Sequence, residues 1–166
     1  IQKENNYVDI IVKVEEQKTG DFSVGLAFSS LEGATFISKL NQKNIAGSGK
    51  TVNLAINTAS KNTEYGVSIT EPRFLNKKFQ FTYGINHTYR DFASEASYKI
   101  SKTNFNTGIK FDIRENLSNS IGIIYEINNY DITDASTVSS TLLPNSGTNT
   151  LFKINNTLDY YNLNSF

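Results

Sequence analysis

Between Phe22 and Ser29 every second residue is large and apolar, and every residue between is tiny. Phe22, Val24, Leu26 and Phe28 form one set; Ser23, Gly25, Ala27 and Ser29 form the other. Alternate side chains of a strand lie on opposite faces, so this segment has one fully apolar face and one nearly bare face. Upstream, Val8, Ile10, Val12 and Val14 alternate with Asp9, Ile11, Lys13 and Glu15, and Lys18-Thr19-Gly20 forms a turn between the two runs.

The same period of two recurs along the chain. Val52, Leu54 and Ile56 alternate with polar or small residues, as do Tyr65, Val67 and Ile69. The clearest run sets Phe79, Phe81, Tyr83, Ile85 and Tyr89 against Gln80, Thr82, Gly84, Asn86, Thr88 and Arg90. Phe105, Ile109, Phe111 and Ile113 define another run, and Ile121, Ile123, Tyr125 and Ile127 the next. Phe152, Ile154, Leu158 and Tyr160 define the last. Residues 34–41 are less regular, because Phe36 and Ile37 fall in opposite phases; their place between two turns makes them a strand. The fold class is therefore all-β and antiparallel, built as a hairpin meander.

Run length and charge placement decide what surrounds the sheet. Several runs hold phase for about nine residues or more, whereas soluble strands average about 5–6. A tilted strand needs about 9–11 residues to cross a bilayer. Lys110, Asp112, Glu126, Lys153 and Asp159 all lie in the polar phase. A Lys or Arg on a lipid-facing surface at mid-bilayer costs about 2–4 kcal/mol, so a membrane barrel keeps that phase free of charge. A soluble sheet with one wet face gives a weaker form of the same pattern. Short segments rich in turn formers (44–49, 72–77, 114–119) alternate with longer ones (91–97, 131–150). That alternation is expected of a barrel with short turns at one rim and long loops at the other.

Composition excludes several classes. The formal net charge is zero, which argues against nucleic-acid binding. With no cysteine, disulfides and thiolate metal sites are impossible. Hydrophobic content is 38%, under the usual 45–50% or so of soluble domains. No apolar run reaches the length of a transmembrane helix. Nothing like a signal peptide opens the chain, which reads as a piece of a longer protein.

Candidate chemical motifs are few. Gly47-Ser48-Gly49-Lys50-Thr51 ends like a phosphate-binding loop, but position 44 is Asn and an alternating run follows where a helix is needed. His87 is the only histidine and continues an apolar phase, which fits an interfacial side chain. Glu15 and Glu16 point to opposite faces of a strand, and Asp131 and Asp134 fall in a loop, so neither pair makes a site. No set of residues suggests catalysis, a cofactor or a nucleotide. Phe22, Phe28, Phe79, Tyr89, Tyr125 and Tyr160 sit near run ends, where a membrane barrel carries aromatic girdles.

Three segments carry a resemblance to the Omp85 family of outer-membrane proteins. The passage from residues 12–16 through Thr19-Gly20 into the Phe22–Ser29 run resembles the junction between the last POTRA domain and the first barrel strand. Asn44-Ile45-Ala46-Gly47-Ser48-Gly49 is similar to the family's Asn-x-x-Gly-x-Gly turn after the second strand. Thr70-Glu71-Pro72-Arg73-Phe74 is similar to its Pro-aromatic turn after the fourth. Gly20, Asn44, Gly47, Gly49 and Pro72 are the structural turn residues under this reading.

The resemblance implies that residues 1–19 end a periplasmic POTRA domain and that residues 20–166 are the first half of a barrel of roughly sixteen strands. It implies a factor in a Gram-negative outer membrane that folds and inserts β-barrel precursors through an open seam. The partners implied are those precursors, accessory outer-membrane lipoproteins and outer-membrane lipid, with no nucleic acid, nucleotide or cofactor. The client-pairing edge would be Phe22, Ser23, Val24, Gly25, Leu26, Ala27, Phe28 and Ser29. Two other readings fit the residues: a small eight-stranded outer-membrane barrel, and a soluble β-sandwich binding module.

Overall fold

The structure, a computed structural model, describes Lys13, residues 18–30 and residues 32–161. Most of the proposed POTRA end therefore lies outside the described residues. Eight strands form one antiparallel sheet: β1 (Gly20–Ser29), β2 (Gly33–Gln42), β3 (Thr51–Thr58), β4 (Asn62–Glu71), β5 (Phe79–Phe92), β6 (Tyr98–Arg114), β7 (Leu117–Ile132) and β8 (Gly147–Tyr160). Their order in the sheet is their order in the chain. Among the described residues β1 pairs only with β2, and β8 only with β7, so the eight strands form an open sheet. A closed eight-stranded barrel would need β8 to pair with β1, and a sandwich would need a second sheet. The described residues provide neither.

The register sorts the two phases into continuous rows. Phe22, Leu40, Leu54, Val67, Ile85, Phe105, Tyr125 and Phe152 are successive cross-strand partners from β1 to β8. The neighbouring row on the other face runs Ser23, Lys39, Ala55, Gly66, Asn86, Asn104, Glu126 and Leu151. Burial is inverted relative to a water-soluble domain. Every member of the apolar row except Leu40 and Val67 is exposed, whereas Thr35, Asn62, Ser118, Glu126 and Asn128 on the polar face are buried. Only two apolar side chains are buried among the described residues, Ile100 and Val138. A sheet curled toward its polar face produces this pattern, and no hydrophobic core lies behind it.

Polar contacts within and between strands knit the concave face. Lys153 Nζ donates to Glu126 Oε2 at 2.8 Å, and Asn128 Nδ2 donates to Glu126 Oε1 at 2.7 Å. Lys110 reaches over β7 to Asp159 at 3.3 Å, and Arg90 bonds Glu64 at 2.9 Å. Close packing on this face depends on missing side chains. The Asn86 amide lies over Gly66, and the Asn155 amide over Gly122. At Gly84 an added Cβ would stand 2.6 Å from the Val67 carbonyl oxygen. Glycine in a strand marks such close approach.

Several strands run further than their apolar alternation. β6 begins at Tyr98 and β7 ends at Ile132, although the alternating runs cover only part of each. The extensions carry charge in the outward phase: Asp91, Lys99 and Asp131 are cross-strand neighbours there. Tyr125, expected near a strand end, is thus in mid-strand, and Asp131 belongs to β7 rather than to a loop. A ladder of main-chain hydrogen bonds continues into water without needing an apolar face.

Connection length also departs from expectation. Residues 30–32 and 59–61 are short connections at the rim that carries the long 133–146 loop, while the opposite rim has 43–50 and 72–78. Only the 133–146 loop meets the expected contrast. The β6–β7 connection is Glu115-Asn116, with a register shift between Asp112 and Arg114. No helix was expected, yet residues 93–96 form one helical turn, α1 (Ala93–Ala96). Its Glu95 pairs with Lys61 of the adjacent connection, and Lys61 Nζ also donates to Ser94 Oγ at 2.9 Å.

Two outcomes follow for the full-length protein that carries this segment. Gly84→Val forces a side chain against fixed backbone, at a cost of about 1–3 kcal/mol. It should weaken the compact, heat-modifiable band on semi-native gels. Gly25→Val should leave that band unchanged, because nothing lies within 4 Å of its Cβ position. The Glu95 carboxyl is held below its ordinary value of 4.5 by the Lys61 ammonium first and the Ser94 hydroxyl second. A depressed folded value means that the tie is complete above about 4.5 and is lost as pH falls through the lower folded value. Carboxyl carbon NMR should place the Glu95 midpoint below 4.5, and Lys61→Gln should move it upward.

Candidate functional site

The edge of β1 differs chemically from every interior strand. Residue parity fixes which groups are free. Lys43 N–H donates to the Thr19 carbonyl at 2.6 Å, in step with the β1–β2 register. In an antiparallel pair, alternate residues exchange both hydrogen bonds with their partners, and the residues between direct theirs away. Asp21, Ser23, Gly25, Ala27 and Ser29 therefore serve β2. The N–H and C=O groups of Phe22, Val24, Leu26 and Phe28 face the open side, with no partner among the described residues.

Side chains along this edge leave it accessible. Leu26 and Phe28 are each 83% exposed on the outer face. On the polar face Ser23, Gly25, Ala27 and Ser29 add little bulk, and the space around Gly25 is open. The edge thus combines four outward donor–acceptor residues, an apolar outer flank and an uncrowded inner flank. An unpaired edge of this kind is a template for another strand.

The five turn residues hold the ends of these strands. Gly20 opens β1, and a Cβ there would overlap the Gln42 side chain. In the β2–β3 connection Asn44 is left-handed at φ 52°, Gly47 at 72° and Gly49 at 73°. Asn44 Oδ1 accepts from Gly49 N–H at 2.6 Å, closing the loop from within. Ala46 also has positive φ, at 50°, a position where glycine would be less strained. Pro72 follows the last residue of β4, where the absent N–H costs the ladder nothing.

The remaining candidates do not gather into a chemical site. Strand β3 follows Gly49-Lys50, so no helix N-terminus faces that loop, and Lys50 is bonded to Glu71 at 3.1 Å. This agrees with the reading of the segment as a turn and not a phosphate loop. His87 lies on the outer face, stacked on Tyr65 at 4.9 Å between ring centroids, with Nδ1 2.9 Å from Thr103 Oγ1. Asp131 lies opposite Lys99, and Asp134 accepts from the Ser136 hydroxyl and N–H. Those bonds hold the Asp134 carboxyl below its ordinary value. Glu15 and Glu16 are outside the described residues. Among the described residues, no group of three or more carboxylate or imidazole side chains could hold a metal ion.

Sequence reading missed two features of the edge and its rim. The parity of the free N–H groups needs the register, which alternation alone does not give. The turn at residues 72–78 was read for Pro72 and its neighbours, although Arg73, Lys77 and Lys78 stand together in it.

Comparison with known proteins agrees with this architecture. The structure is similar to BamA from Haemophilus ducreyi lacking POTRA domains 1–3, with a TM-score of 0.64 and 20% identity. The similarity covers 92% of this chain and 32% of that one, so this chain spans about a third of its length. The Omp85 superfamily domain model matches residues 44–166, from the Asn44 turn through β8 and beyond. With that match over most of its length, the chain belongs to the Omp85 superfamily.

Proposed function

We propose that this chain is part of an outer-membrane protein assembly factor and that the β1 edge receives strands of β-barrel precursors. Residues 1–19 end a periplasmic POTRA domain, and residues 20–166 form the N-terminal half of a barrel of roughly sixteen strands. The outward apolar phase of β5, from Phe79 to Tyr89, is bounded above by Asp91. About eleven residues at roughly 3.3 Å each, tilted about 40°, match the apolar band of about 25 Å of an outer-membrane barrel. The setting is the outer membrane of a Gram-negative-type envelope, with accessory lipoproteins on the periplasmic side.

The observation that carries the reading is the row of free main-chain groups on Phe22, Val24, Leu26 and Phe28. In hydrocarbon each unsatisfied peptide group costs several kcal/mol, so an edge held open there is a strong acceptor for any extended chain. Main-chain pairing gives affinity without dictating client sequence. The open inner flank at Ser23, Gly25, Ala27 and Ser29 admits varied client side chains. Folding of the client supplies the driving force, so the mechanism is non-enzymatic and needs no nucleotide or cofactor.

Proline substitution separates the free edge from the paired one. In the full-length protein, Leu26→Pro removes an outward N–H and spares the β1–β2 ladder. It should leave the heat-modifiable band intact while slowing precursor assembly into liposomes about tenfold or more. Ala27→Pro removes an N–H that serves β2 and should disturb the barrel itself. Cysteines placed along residues 23–29 should crosslink to a stalled precursor. A folded Leu26→Pro protein that assembles precursors at the unmodified rate sinks the edge mechanism.

A further inference from the structure

We infer that a hollow on the outer face, beside His87, seats the acyl chain and ester carbonyl of one membrane lipid; this rests on the membrane reading above. The hollow has a volume of about 510 Å³. Leu54 and Ile56 of β3, Val67 of β4 and Ile85 of β5 line it with apolar surface. All four belong to the outward phase, and Ala55 and Gly66 of the concave row complete the border. One end is polar. There His87 is stacked on Tyr65, and its Nδ1 lies 2.9 Å from Thr103 Oγ1. Neither the Thr103 hydroxyl nor His87 Nε2 has another partner among the described residues. A hydroxyl that donates to Nδ1 fixes the neutral tautomer whose Nε2 carries the proton. That N–H is then the donor available at the polar end.

Depth selects the occupant. On one side of His87 the neighbouring outward row is Leu54, Val67, Ile85, Phe105 and Tyr125. On the other, toward the rim of the long loop, it is Thr58, Thr63, Tyr89, Ser101 and Asn129, polar throughout. His87 thus stands in the last row of the apolar belt, at the boundary between hydrocarbon and the interfacial region, where ester linkages lie. Lys99, the outward cation beyond it, is two rows further out and is held by Asp91 at 3.2 Å. A phosphate therefore finds no free charge here. The site asks for a long apolar group that ends in an uncharged acceptor, and an acyl ester is such a group. An apolar side chain of a partner protein would fill the hollow but leave the His87 N–H unsatisfied, which is costly in apolar surroundings.

The test uses full-length protein in nanodiscs of diacyl and dialkyl phosphatidylcholine in equal parts. The two lipids share headgroup and chain length, and the dialkyl form lacks the ester carbonyls. Native mass spectrometry after release from the disc reads which lipid stays bound. The diacyl form should be retained in excess by about threefold or more, the size expected of one hydrogen bond. That excess should vanish in His87→Phe, which keeps a ring for Tyr65 to stack on, and persist in His87→Gln, which keeps an N–H donor. Equal retention of the two lipids overturns ester recognition. Retention of neither assigns the hollow to a protein neighbour and also overturns the proposal; both results leave the membrane reading intact. An excess that survives in His87→Phe overturns the assignment to this hollow. Folded protein that does not enter the discs overturns the membrane reading as well.

Discussion

The ladder of main-chain hydrogen bonds from β1 to β8 is the interaction on which everything else in this structure rests. With Ile100 and Val138 as the buried apolar side chains, packing of a hydrophobic core contributes little. Each interior strand satisfies its peptide groups on both sides, which is the condition for surviving in hydrocarbon. The side chains then only have to suit the medium on each face. That division explains why the apolar row from Phe22 to Phe152 is unbroken, and why outward charge on β5 to β7, at Asp91, Lys99 and Asp131, appears only toward the strand ends.

The ladder also sets which main-chain groups of the edge strand β1 are left without a partner among the described residues. Interior strands have no main-chain donors to offer. At β1 every second residue does, and those are the residues whose side chains are large and apolar. Unpaired main-chain groups and outward apolar side chains thus fall on the same four positions, Phe22, Val24, Leu26 and Phe28. The small residues between them serve β2 through their backbone and keep the inner flank clear.

Much of this was legible in the sequence, for a physical reason. Where lipid meets one face, alternation is strict, and β1, β3, β4 and β5 could be placed within a few residues of their bounds. Strand phase then put Ser23, Gly25, Ala27 and Ser29 together on one side. What could not be read follows from the same cause. Above Tyr89 and Thr103 both faces of the sheet are wet, alternation no longer reports the strand, and β6 and β7 extend unannounced to Tyr98 and Ile132. Gly84 and Gly122 look alike in sequence, but register makes one a contact with backbone and the other a slot for Asn155.

The sequential strand order has a kinetic meaning. All seven pairings join neighbours in the chain, so each strand can add to the one before it across a connection of at most 14 residues, the 133–146 loop. Contacts this local close with little loop entropy, and the sheet can zip in one direction. At every step the growing front is an edge like that of β1: a row of alternate, unclaimed donors and acceptors. Each new strand then pairs on the same main-chain terms as the one before it.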